Sequence, residues 1–124
     1  MNNLTAPDLN ALADQLRAMK RNALDEIRST TADIAASLPP SIHEVQSQAD
    51  EAEAERLGDV RFAEIEIDRA RLRDIEQAEQ RMADGRYGIC ADCGEAIPRE
   101  RLQAQPIALR CTACQWAAEN RQRA

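Results

Sequence analysis

Four cysteines are the residues best suited to chemistry: Cys90, Cys93, Cys111 and Cys114, in the pattern C-x2-C-x17-C-x2-C. A two-residue gap lets both sulfurs of one turn face a single point. Two such turns supply four soft thiolates, which complete a tetrahedron around Zn²⁺. Seventeen residues between the pairs falls inside the spacing of four-cysteine zinc sites. Four protein ligands leave no open coordination position, so the expected ion is structural and activates no water. A redox Cys-x-x-Cys would need a βαβ setting, and a disulfide frame would need an oxidising compartment. An iron–sulfur centre is open to four cysteines, but the spacing favours zinc. The one histidine, His43, lies far from the cysteines and reads as a solvated helix residue. Gly94, directly after the second cysteine, suits the positive φ of a metal knuckle.

The elements that hold these cysteines are helical by pattern. Thr5, Pro7 and Asp8 make a helix start, with a capping oxygen, a first-turn proline and an early acid. Leu9, Leu12, Leu16, Met19 and Ala23 then alternate at three and four spacing, and Ile27, Ile34 and Leu38 continue the stripe. Pro39 and Pro40 end this helix. Ser41-Ile42-His43-Glu44 fits a capping box and predicts a second helix from Ser41 to Asp84, closed by a left-handed Gly85. Its expected seam includes Val45, Ala49, Ala52, Val60, Ala63, Ile67 and Ala70, then Leu72, Ile75 and Met82 after a shift. Gly58 inside it costs about 1 kcal/mol relative to alanine. A short link between two long helices predicts an antiparallel pair. The expected fold is mostly α: a coiled-coil hairpin over residues 1–85 with its tip at about 38–50, then a small four-cysteine zinc-finger end with a short C-terminal helix over 86–124.

Composition narrows the function. Phe62, Tyr87 and Trp116 are the only aromatics, so no large core is available and the metal must help hold the C-terminal end. The net charge of −6 is uneven: residues 44–84 carry thirteen acidic and six basic side chains, residues 1–43 come to −1 and residues 85–124 to +2. No basic stripe exists, which disfavours direct binding to a phosphate backbone. No apolar run reaches membrane-span length and no signal-type N-terminus is present, so a cytoplasmic protein is expected. No acid–base pair around a histidine and no open metal position suggest an enzyme. Two readings follow from these residues alone: a zinc-stapled coiled-coil adapter, and a zinc-ribbon nucleic-acid binder using Arg99, Arg101, Arg110, Arg121 and Arg123.

The segment from Tyr87 to Gln115 resembles the DksA/TraR zinc-finger family. The match rests on Tyr87-Gly-x-Cys-x-x-Cys-Gly, the following Ile97-Pro98, Arg101-Leu102-x-Ala104-x-Pro106 and the closing Cys-x-x-Cys. The resemblance implies a regulator that binds RNA polymerase directly, with the coiled coil in the secondary channel and the zinc-finger end at its rim. It implies no enzyme chemistry; the lever is differential affinity for polymerase states. The family's D-x-x-D-x-A tip motif falls, by spacing from Cys90, on Ser47, Asp50 and Ala52, with Ser47 in place of the first aspartate. Basic residues that hold guanosine tetraphosphate in DksA fall on Asp74 and Gln115. An acid there repels a polyphosphate, so no DksA-type alarmone site is expected. A monomer is expected.

Overall fold

The computed structural model describes residues 3–37 and 48–123, with the backbone alone at residues 37, 48–51 and 123. Four helices follow in order: α1 Ala6–Ser37, α2 Gln48–Ala83, α3 Arg99–Ala104 and α4 Thr112–Arg123. No strand occurs among the described residues; one antiparallel bridge joins Ile89 and Ala96. The expected start of the second helix at Ser41 lies outside the described residues. So do Pro39, Pro40, His43, Val45 and Ser47.

Local signals account for the helix ends. The Thr5 amide donates to Asp8 Oδ2 at 2.9 Å and the Asp8 amide to Thr5 Oγ1 at 3.2 Å. This reciprocal pair satisfies two otherwise orphan donors. Helix α2 ends at Gly85, whose φ is 75°. The Gly85 amide donates to the Met82 carbonyl at 3.2 Å and the Arg86 amide to the Arg81 carbonyl at 2.8 Å. Those two bonds are a Schellman cap, and its left-handed residue favours glycine.

The chain forms two compact units. The first comprises residues 1–20 and 73–124, the second residues 21–72. In the first, Leu12 and Leu16 of α1 share one core with Ile75 and Ala78 of α2 and with Tyr87, Cys90, Ile97 and Leu102. Leu16, Ile75 and Leu102 are the largest fully buried side chains. A Lys20–Glu79 ion pair at 3.2 Å flanks this core. In the second unit α1 and α2 run antiparallel. The partner of Glu26 is Arg71, at 3.9 Å, whereas the carbonyl of Asp33, further along α1, accepts from Arg61, earlier on α2.

The expected stripe of α1 is borne out: Leu12, Leu16 and Ala23 are buried. The expected seam of α2 needs correction in its distal half. Val60 and Ile67 are 55% and 60% exposed, and Ala52 and Ala63 are exposed too. The inward face instead follows Gly58, Arg61, Ile65, Asp68, Leu72, Ile75, Glu79 and Met82, at unbroken three–four spacing. Polar members of that row find partners, so they tolerate the inward position. Arg61 Nη1 donates to the Asp33 carbonyl at 3.4 Å, and Arg71 lies 3.8 Å from Asp68, itself 6% exposed.

Candidate metal centre

The first cysteine pair lies on a tight turn. The Cys90 amide donates to the Glu95 carbonyl and the Ile97 amide to the Gly88 carbonyl, each at 2.8 Å. The chain doubles back between them, and the Gly94 amide closes the turn on the Cys90 carbonyl at 3.0 Å. Gly94 has φ 75°, as its position after Cys93 predicts. The second pair opens α4: the Gln115 amide donates to the Cys111 carbonyl at 2.9 Å, which puts Cys111 and Cys114 on one helical turn. The Ala91 amide donates to the Leu109 carbonyl at 2.8 Å, joining the two segments by backbone.

These turns bring the Sγ atoms of Cys90, Cys93, Cys111 and Cys114 to within 4.8 Å of one another. Cys90 is buried, Cys93 exposed, and the other two half-buried. Burial pushes the Cys90 thiol up, but the backbone N–H groups of Cys93, Cys111 and Asp92 outweigh it, and the thiol comes down to about 6. The Glu95 amide pulls Cys93 down, yet the Cys90 sulfur and burial win and leave it raised. The Cys111 and Cys90 sulfurs, then burial, push Cys114 up to about 12. Cys93 and Cys114 thus resist ionising among the crowded sulfurs. A dication removes that conflict, so the donor set fits one zinc ion and no hard cation.

Three supporting residues make contacts that lacked a sequence signal. Arg110 Nε donates to Asp92 Oδ2 at 2.8 Å and links the two knuckles. Arg81, near the end of α2, donates through Nη2 to the carbonyls of Ile89 at 2.5 Å and Arg86 at 3.2 Å. Tyr87 Oη donates to the Pro106 carbonyl at 2.8 Å in a buried setting, and burial pushes its phenol up to about 12. Aspartate and arginine beside cysteines, or an arginine near a helix end, are too common for spacing to single out.

The other expected site residues are placed as follows. Ser47 lies outside the described residues. Asp50 is in the first turn of α2, where the backbone alone is described, and Ala52 is exposed on the same helix. Asp74 and Gln115 come together: both line one groove of about 530 Å³ in the first unit. No described helix is long and apolar enough to cross a membrane.

Two long helices feeding a four-cysteine knuckle pair define a helical zinc-finger protein. Residues 85–120 match the prokaryotic dksA/traR C4-type zinc-finger family. The chain is 33% identical over 112 residues to the RNA polymerase-binding transcription factor DksA of Caulobacter vibrioides, covering 88% of this chain and 74% of that protein. It therefore belongs to the DksA/TraR family. General stress protein 16O of Bacillus subtilis is 51% identical over 43 residues, which cover 35% of this chain and only 26% of that longer protein. The structure of transcription factor DksA2 from Pseudomonas aeruginosa matches with a TM-score of 0.83 at 25% identity, over 96% of this chain and 88% of that one.

Proposed function

We propose that this chain is a transcription regulator that binds RNA polymerase directly and modulates initiation. Residues 1–85 form the arm whose tip, with Ser47, Asp50 and Ala52, enters the secondary channel, and residues 86–124 form the zinc-finger end. The observation that carries this reading is the similarity to the Caulobacter factor across 88% of the chain, arm as well as finger. Cys90, Cys93, Cys111 and Cys114 hold one structural Zn²⁺, which contributes folding energy and has no open position for substrate. The protein has no enzyme chemistry of its own, acts as a cytoplasmic monomer and makes no sequence-specific DNA contact. Asp74 and Gln115 in the groove beside α4 leave it without a DksA-type guanosine tetraphosphate site.

A pull-down with core polymerase tests this. The wild type is expected to bind, and Asp50→Asn or removal of residues 38–50 to weaken or uncouple its effect on transcription in vitro. Binding and regulation unchanged in both variants would defeat the tip assignment. No polymerase binding by the wild type would defeat the whole reading, leaving the zinc-stapled adapter.

A further inference from the structure

The groove that holds Asp74 and Gln115 has a composition of its own. Its volume is about 530 Å³, and Ile107 and Leu109 give it apolar wall. Trp116, from α4, lines it and is 67% exposed, so the indole is available to a visitor. Glu119 lies one helical turn along α4 and also lines it. Asp74 enters from α2.

The charges there are unevenly committed. Arg110 is spent on Asp92, at 2.8 Å. Arg101 turns its Nε to the neutral Arg110 carbonyl at 3.0 Å and so keeps one positive charge at the groove. Neither carboxylate has a cation within ion-pair distance among the described residues. Glu119 accepts only the neutral amide of Gln115, at 3.1 Å, and the Asp74 carboxylate makes no hydrogen bond or ion pair among the described residues. The groove thus sets two carboxylates, neither within ion-pair distance of a described cation, against the single charge of Arg101, beside an exposed indole and apolar wall. That set is complementary to one kind of group: a flat or compact cation on an aliphatic stem. A guanidinium suits it best, because it stacks on an aromatic ring while its edge N–H groups reach a carboxylate.

We propose that this groove receives an arginine side chain of a partner protein, seated on Trp116 and paired with Asp74. The proposal rests on the chemistry of the groove and not on which partner supplies the arginine, so it stands or falls apart from the polymerase reading.

Trp116 is the only tryptophan in the chain, so its fluorescence reports this groove alone. The zinc-loaded full chain is titrated with a capped Gly-Arg-Gly peptide, and calorimetry repeats the titration without relying on the fluorophore. The expected result is a saturable change with an affinity of order millimolar, as befits a single side chain. A capped Gly-citrulline-Gly peptide, of the same shape without the charge, should give no saturable change. Asp74→Asn should weaken the arginine peptide about fivefold, as should Glu119→Gln to a smaller degree. Both positions are exposed, and an unchanged circular dichroism spectrum and melting point would show that the variants fold. Equal binding of the citrulline peptide, an unaltered affinity in Asp74→Asn, or no saturable signal by either method would overturn the proposal. So would saturable binding of inorganic pyrophosphate with none of the arginine peptide, which would make the groove an anion site built on Arg101.

Discussion

At the scale of single residues, the four cysteines were fully legible because metal ligation constrains residue type and spacing together. Their sulfurs converge within 4.8 Å, as the C-x2-C-x17-C-x2-C pattern requires. Cys114→Ser removes one of four thiolates, so the purified protein should fall from one zinc per chain to near none by elemental analysis, with loss of α4 helicity. The residues that brace the cysteines were not legible. Tyr87 stood out only as part of the family-like segment, and nothing in the sequence said that its hydroxyl reaches Pro106, nineteen residues on. That bond is a buried one, and Tyr87→Phe leaves the Pro106 carbonyl without this donor. The expected cost is about 1–2 kcal/mol, read as a drop of several degrees in the melting midpoint. Zinc content should be unchanged, which separates the loss of a brace from the loss of the metal.

At the scale of elements, helix existence and helix ends were readable, whereas the distal seam of α2 was not. Caps are local chemistry, so Thr5–Asp8 and Gly85 declared themselves. A seam is a tertiary property, and apolar type is a poor guide when polar residues are paired inside it. Arg61 and Asp68 occupy inward positions, while Val60 and Ile67, the apparently better candidates, face outward. Asp68 explains how this is tolerated. It lies beside Glu26 of α1, and Arg71 stands 3.8 Å from Asp68 and 3.9 Å from Glu26. The hydrogen bond that protonated Glu26 donates to Asp68, and the Asp68 charge, then desolvation and Glu64, raise the Glu26 carboxyl against the smaller pull of Arg71. The folded arm therefore retains a proton that the unfolded chain has already released. The contribution of Glu26 to stability is fully present below the ordinary glutamate value and is lost as pH rises through the raised one. Asp68→Leu removes the pull on Glu26 and fills the seam with an apolar side chain. It should stabilise the arm by about 1–2 kcal/mol at neutral pH in urea unfolding, and the gain should shrink as pH falls through the raised Glu26 value. A gain independent of pH would show that the carboxyl pair contributes nothing to the seam. At the other end of α1 the sign reverses. The Thr5 amide and hydroxyl, aided by Arg99, hold Asp8 below the usual carboxylate range, so that cap weakens as pH falls through the lowered value.

At the scale of the whole molecule, what the sequence left unread is where the metal's influence ends. A boundary near residue 85 follows the change from helical periodicity to cysteine spacing. Packing follows a different line. Cys90 is 2% exposed and belongs to the same core as Leu12, Leu16, Ile75 and Ala78, so the helix segments 6–20 and 73–83 share a compact unit with the cysteines. Residues 21–72 form the other unit, with their own buried Ile65 and Ala23 and their own ion pairs. Chain order cannot reveal this, because Leu12 and Cys90 are far apart in sequence and meet only through the fold. The consequence is specific. Zinc removal should release the knuckles, uncover Cys90 and Leu102, and so loosen the helix segments that pack on them. Amide hydrogen exchange, followed by mass spectrometry with and without a strong chelator, should show lost protection over residues 1–20 as well as 73–124. Residues 21–72 should change least. Metal binding is folding energy for the whole first unit under this account, since the core it fixes includes two helix segments from outside the finger. Lost protection confined to residues 86–116 would mean that Leu12, Leu16, Ile75 and Ala78 hold together without the metal, and that the finger is an independent appendage.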